Sequence, residues 1–259
     1  TAVFISGDHG ESLGEHGEAT HGFLAYNSTL WIPLIIAMPG LDHRIVRAPV
    51  SHADIFPTVC ELLDVAAPAR LQGASLVRAM RGIPQDARPI YFESLTPFYS
   101  MGWAPVRGFI DKGEKFIDSP VPEVFDIEND FSETSNLARG ADAASRRKTL
   151  AGLVRVLSSE TEGEAARASD RPTIERLRSL GYLTASPGAG HGGRTEFGPD
   201  DDVKSLLPFY NRAMNALSLF EAGRTAEAVD EARSVIAARK NISTAYLNLA
   251  YFHKEGGRR

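Results

Sequence analysis

The sequence predicts a layered α/β domain with a small antiparallel meander, followed by an all-α helical repeat. Three observations lead to that class. Over residues 1–76, apolar runs of strand length alternate with a run at helical spacing, the pattern of a sheet covered by helices. Short β-prone runs succeed one another over 89–125, and 206–252 is helical in composition and spacing throughout.

The elements follow in order. Residues 2–5, Ala-Val-Phe-Ile, read as a buried strand; 30–38, closed by Pro39-Gly40, read as a second. Residues 51–65 form a helix, with Ser51 as N-cap. The runs 90–92, 106–110 and 115–117, separated by Gly and Pro, make the meander. Residues 141–183 are helix-prone and rich in Ala, Arg and Glu, whereas 184–202 contain Pro187-Gly188-Ala189-Gly190-His191-Gly192-Gly193 and no apolar periodicity, as in a linker. Helix then resumes, with breaks at Gly223-Arg224 and near Asn241. Gly223 lies 33 residues before Gly256 and 34 before Gly257, the period of tetratricopeptide repeats. The tail resembles one and a half such repeats, without the usual proline, which Lys240-Asn241 replaces; a plain helical hairpin is the other reading. The expected division is 1–140, 141–183, 184–202 and 203–259. Because the chain opens on Thr1 directly into a strand, an upstream segment is expected, and a stacked repeat needs about three copies, so continuation past Arg259 is expected too.

Of the 259 residues, 43% are hydrophobic and 24% charged, enough apolar surface for a core and too little charge bias for wholesale disorder. The net charge of −5 comes without a basic run, which argues against nucleic acid as a partner. The lone cysteine, Cys60, forms no internal disulfide and reads as core. No run approaches the roughly 18 apolar residues of a membrane span.

The chemistry concentrates in Ile5-Ser6-Gly7-Asp8-His9-Gly10-Glu11-Ser12-Leu13-Gly14-Glu15-His16-Gly17-Glu18 and Thr20-His21-Gly22. Asp8 and His9 stand where a strand ends, the edge at which open α/β sheets bind ligands. Their oxygen and nitrogen suit a borderline divalent ion such as Zn²⁺ or Mn²⁺; an Asp capping the next turn beside a solvated His would carry the same spacing. Gly7 and Gly10 allow a sharp turn and close approach of a substrate. His21, twelve residues beyond His9, is placed to return to the same ion or to a substrate oxyanion. Glu11, Glu15 and Glu18 read either as partners orienting the histidines or as a solvated face; His16 reads as site edge or surface, His52 as structural and His43 as surface.

These runs, with Trp31-Ile32-Pro33-Leu34-Ile35-Ile36, Pro49-Val50-Ser51-His52-Ala53-Asp54, Leu71-Gln72-Gly73, Lys115-Phe116-Ile117, Pro122-Glu123-Val124-Phe125-Asp126 and Glu133-Thr134-Ser135-Asn136-Leu137, resemble the core of sulfatase-like hydrolases and transferases of the alkaline-phosphatase superfamily. The likeness covers about the first 140 residues in the family's order; Leu177-Arg178-Ser179-Leu180-Gly181-Tyr182-Leu183 resembles the end of members with a tetratricopeptide tail. The resemblance implies an alkaline-phosphatase-like layered sheet, of which 1–140 form the C-terminal part. It implies that Asp8 and His9 bind a divalent metal (Ca²⁺, Zn²⁺ or Mn²⁺) and that His21 is catalytic where many sulfatases place lysine. It also implies a nucleophile upstream, formylglycine in sulfatases, so that this chain alone turns nothing over. The substrate implied is a small-molecule or glycan sulfate or phosphate ester, with Trp103 and Glu93 contacting its organic portion, and the implied location is periplasmic or extracellular. Two rival readings are a phosphodiesterase or phosphoethanolamine-type transferase, which His21 suits, and a noncatalytic interaction protein whose repeat grips a protein partner beside a vestigial core.

Overall fold

The computed structural model describes residues 1–69, 71–84, 87–138, 141–158 and 194–257. Strands β1 (Val3–Ser6) and β2 (Leu34–Ala37) pair antiparallel, Phe4 opposite Ile36 and Ser6 opposite Leu34. Between them lie the motif-bearing loop and one short helix, α1 (Asn27–Leu30). Helix α2 (Ile55–Leu62) is entered through a 3₁₀ turn capped by Ser51, which accepts from the Ala53 N–H while Asp54 accepts from the Ser51 N–H. Cys60 is buried in it, as expected. The even-numbered β2 residues Leu34 and Ile36 pack on Leu76, Val77 and Met80 of α3 (Val77–Met80) and the turn before it.

The 2–5 strand was expected to be buried, and it is not: Val3 and Ile5 are 47% and 54% exposed. With Ile35 they share the odd-numbered face, which points away from α3, and among the described residues no further strand joins the pair. Strand alternation, not enclosure, governs this element.

The meander forms a four-stranded antiparallel sheet in the order β3 (Ile90–Ser94), β4 (Val106–Asp111), β5 (Glu114–Asp118), β6 (Glu123–Asp126). Helix α4 (Thr96–Met101) lies between β3 and β4 in the chain. Strict alternation divides its faces. Tyr91, Phe109, Phe116 and Val124 face Leu150 of α5 (Ala141–Ser158), and Phe92, Val106, Ile117 and Phe125 face the other way into the largest core cluster. Arg146 clasps Glu114 through two 2.7 Å hydrogen bonds and so anchors α5 to β5. The rest of the 141–183 segment, and 184–193 of the expected linker, lie outside the described residues.

Three helices close the chain: α6 (Val203–Glu221), α7 (Thr225–Ala238) and α8 (Ser243–Gly256). Their breaks fall at Gly223-Arg224 and around Asn241, where turn residues interrupt the apolar periodicity. Val203, Leu206, Ala213, Val235 and Ile242 join Leu24, Trp103 and Phe125 in one cluster, so the helices share a core with the sheet. The entry to α6 is clamped by charge. Asp202, fully buried, accepts from the Ser119 hydroxyl (2.7 Å), the Val121 N–H (2.9 Å) and the Lys204 N–H, while the Lys204 ammonium reaches Glu123 at 2.9 Å.

Candidate metal centre

Strand β1 delivers Gly7, Asp8 and His9 to the solvent edge of the sheet. Its end is pinned twice: the Ser6 hydroxyl donates to the Pro33 carbonyl (3.0 Å), and His52 Nε2 donates to the Gly7 carbonyl (2.7 Å). Asp8 Oδ1 accepts from the His9 N–H at 3.0 Å, and Oδ2 lies 3.7 Å from His9 Nε2. The Asp8 carboxyl is held below its ordinary range, first by the His9 N–H, then by its own N–H and by the adjacent imidazole. His9 Nδ1 donates to the Gly10 carbonyl at 2.7 Å, which leaves the Nε2 lone pair free.

The loop then turns back on itself. Gly10 donates to the Thr29 carbonyl at 2.7 Å, and a Cβ at position 10 would stand 2.2 Å from the Ser28 carbonyl oxygen. The close approach expected at this glycine is therefore made by the chain's own backbone, not by a substrate. Ser12 N–H bonds the Thr20 carbonyl (2.8 Å) and the Ser94 hydroxyl bonds the Gly22 carbonyl (2.8 Å), so the residues on either side of His21 are both held. Gly22 itself has φ +96°, a conformation that favours glycine.

This return brings His21 to His9. Their rings lie 3.9 Å apart, and His21 Nδ1 donates to Glu11 Oε2 at 3.0 Å. One donor atom from each of His9, Glu11 and His21 lies within 4.8 Å of the others. Two imidazole nitrogens and a carboxylate form the donor set of a borderline divalent cation, and a carboxylate behind a histidine ring is how metal sites fix the ring's tautomer. The residues fit such an ion. Asp8 approaches His9 Nε2 at 3.7 Å but stands outside that three-residue group.

The remaining sequence candidates separate. His16 has left-handed backbone (φ 54°), stacks on Tyr26 at 3.6 Å and bonds the Ser132 carbonyl, so it serves packing. Glu15 accepts the Leu13 N–H within the loop. Glu93 is exposed on β3, where it accepts the Tyr91 hydroxyl and pairs loosely with Arg107 at 3.7 Å. Trp103, expected to touch a substrate, is 2% exposed and sits in the core beside Phe23 and Tyr210. The reason is tertiary: the core cluster that Val203 and Leu206 of α6 complete encloses the indole.

Glu18 takes a place that neither sequence reading gives it, bracing the backbone of the loop from a buried position. It is 2% exposed and accepts from the Phe23 N–H (2.8 Å) and the Leu24 N–H (3.0 Å), closing the segment that carries His21. Burial pushes its carboxyl up, against the pull of those two N–H groups. Nothing in the spacing separates it from Glu11 and Glu15. Glu18→Ala leaves two backbone donors unsatisfied and is expected to destabilise the fold by about 2 kcal/mol, measured by urea unfolding. Glu18→Gln, which keeps an acceptor, should lose less than half of that.

Comparison with known proteins places these residues in context. Residues 1–65, which hold every member of the cluster, match the sequence family described as Sulfatase. The chain is 30% identical over 149 residues to a Delta 4,5-hexuronate-2-O-sulfatase of Bacteroides thetaiotaomicron, covering 54% of this chain and 31% of that protein. It is 33% identical over 153 residues to an uncharacterized sulfatase, YidJ, of Escherichia coli, covering 56% and 30%. The chain thus spans about a third of the length of the curated relatives it matches. Among solved structures, a 2-O GAG sulfatase superposes with a TM-score of 0.50 and 23% identity over 76% of this chain and 43% of that one. The α/β fold with its antiparallel sheets is shared with that structure.

Proposed function

We propose that this chain supplies the metal-binding part of a sulfate-ester hydrolase, and the observation that carries the reading is the His9–Glu11–His21 cluster beside Asp8 at the end of β1. Relatives named as sulfatases match over the residues that build it, and the chemistry of the donor set suits a divalent cation better than it suits catalysis by side chains alone. His9 and Asp8 would hold the ion, with Glu11 and His21 completing or orienting its shell. A bound cation there supplies Lewis-acid polarisation of the ester's oxygens. His21 rests against His9, its ring tilted by 32°, and is held by Glu11; its Nε2 is free to hydrogen-bond an anionic ester or to carry a proton at the bridging oxygen. Glu93 remains a substrate contact in this proposal, being exposed and next to Ser94, which grips the Gly22 carbonyl; Trp103 becomes a packing residue.

A substrate of sulfated-glycan type goes with the hexuronate sulfatase among the relatives, and a phosphodiester is the alternative that a histidine at position 21 admits. The nucleophile, formylglycine in this reading, lies outside the chain: its lone thiol, Cys60, is buried in α2. The division 1–140, 141–183, 184–202 and 203–259, a tetratricopeptide identity for α6 to α8 with a protein partner, and a periplasmic or extracellular location belong to the same proposal. No helix among the described residues is long and apolar enough to cross a membrane.

Titration of EDTA-treated residues 1–259 with Mn²⁺, Zn²⁺ and Ca²⁺ by calorimetry tests the proposal. One saturable site per chain is expected. Imidazole and carboxylate ligate only when deprotonated, so affinity should fall as the buffer is acidified. Absence of saturable binding at neutral pH, or turnover of 4-nitrophenyl sulfate by this chain alone, would refute it.

A further inference from the structure

We propose that α6, the first of the C-terminal helices, is a positioning element for the metal-binding loop, acting through two adjacent residues. Asn211 Nδ2 donates to the Gly17 carbonyl at 2.7 Å, across 194 residues of sequence. Tyr210 packs its ring on Phe23 at 4.8 Å and meets Trp103 edge-on at 6.3 Å. Gly17 and Phe23 are the two ends of the seven-residue segment, 17–23, in which His21 lies. The helix therefore holds both feet of the arch that presents the histidine.

The interior of the arch is tied by other bonds, and these give it little freedom of its own. Glu18 accepts the N–H groups of Phe23 and Leu24, Thr20 is bonded by Ser12, and Gly22 by Ser94. The Glu18 bonds brace the arch within itself, whereas Ser12 and Ser94 fasten Thr20 and Gly22 to the rest of the fold, so its placement relative to His9 depends on those two ties together with what holds its ends. On the side of the core those holders are Tyr210 and Asn211. The ring separation of 3.9 Å between His9 and His21 leaves small tolerance, because a metal site loses affinity when its donors are displaced by a fraction of an ångström. The helical region, expected from sequence to be a separate repeat, thus shares in the site through its first helix, and its attachment is rigid: Asp202 and Lys204 lock the start of α6 to Ser119 and Glu123.

This inference rests on the metal reading above, and the experiment separates the two. Mn²⁺ affinity is measured by calorimetry on residues 1–259 for wild type, His21→Ala, Tyr210→Ala, Tyr210→Phe, Asn211→Ala and Phe252→Leu, with melting temperatures alongside. Phe252 lies in the distal helical cluster, stacked on Phe220, and touches none of the loop. Tyr210→Ala and Asn211→Ala are each expected to weaken Mn²⁺ binding roughly threefold to tenfold, Tyr210→Phe to restore it, and Phe252→Leu to lower the melting temperature with affinity unchanged. Should His21→Ala bind as wild type does, the metal reading fails and takes this inference with it. Should His21→Ala lose the ion while both Asn211→Ala and Tyr210→Ala keep wild-type affinity, or should Phe252→Leu weaken binding as much as they do, α6 is a structural neighbour only and the inference alone is overturned.

Discussion

Glu133→Ala lowers the free energy of unfolding by about 3–5 kcal/mol, as read by urea unfolding followed through far-UV circular dichroism. The reason is what the substitution strands. Lys115, fully buried on β5, meets Glu133 Oε1 at 2.6 Å and lies over the Phe92 ring at 5.4 Å, with Asn27 Oδ1 at 3.3 Å as a weaker acceptor. The other Glu133 oxygen takes the Asn27 N–H, which opens α1 after the loop that carries His9 and His21. Removing the carboxylate leaves the buried ammonium without its contacting countercharge, only Glu123 acting on it from further off, and an unsatisfied N–H, a costly outcome for a buried pair. Replacing both partners, Lys115→Met with Glu133→Gln, is expected to cost far less than Glu133→Ala, since two desolvation penalties disappear together. Equal losses in the single and double variants would refute the assignment of the cost to an unpaired charge.

The same lysine sets a pH signature of definite sign. Burial lowers its pKa to about 8 from 10.5, against the opposing pull of Glu133. The fold therefore binds this proton less tightly than the unfolded chain does, and stability rises as pH climbs from about 8 towards 10.5 and is lost as pH falls through the lower value. Other groups titrate in that window, so the measurable quantity is the difference from the Lys115→Met, Glu133→Gln variant, whose slope should be smaller. An identical slope in the two proteins would show that Lys115 holds its proton equally in both states.

How far such features can be read from sequence depends on whether they are local. The Ser51 cap, the strand runs around Phe92, Phe109 and Phe116, and the helix breaks at Gly223 and Asn241 follow from short-range spacing and turn chemistry, and the structure places elements there. The pairing of Asp8 with His9 is likewise a neighbour relation. What spacing cannot carry is contact across the chain. Glu18 and Glu11 look alike in sequence, yet one is buried under Leu24 and the other stands in solvent beside His21. Trp103 reads as a substrate contact through the resemblance to sulfatase-like proteins, and only the arrival of Tyr210 more than a hundred residues later shows it to be core. The exposure of Val3 and Ile5 is the converse case: an apolar strand is legible, but which of its faces is covered depends on neighbours outside the strand.

His9→Ala is expected to reduce divalent-metal affinity more than any other single change in the loop, and by more than the roughly 10- to 100-fold typical of losing a ligand's hydrogen-bond partner. His9 is the member common to two donor groups. Its Nε2 lies 3.7 Å from Asp8 Oδ2, and its ring lies 3.9 Å from that of His21, itself tied to Glu11. Removing Asp8 leaves two imidazoles and a carboxylate; removing His21 leaves the adjacent acid and imidazole with Glu11; removing His9 takes away the side chain that approaches both Asp8 and His21. The expected order of loss is therefore His9→Ala, then His21→Ala, then Asp8→Asn, with Glu11→Gln smallest if its carboxylate orients His21 and comparable to His21→Ala if it ligates. Calorimetric titration with Mn²⁺ at fixed pH ranks the four. A ranking with Asp8→Asn first and His9→Ala near wild type would mean that the cation is held by the acidic side of the loop alone, and that the two adjacent imidazoles serve the substrate instead of the ion.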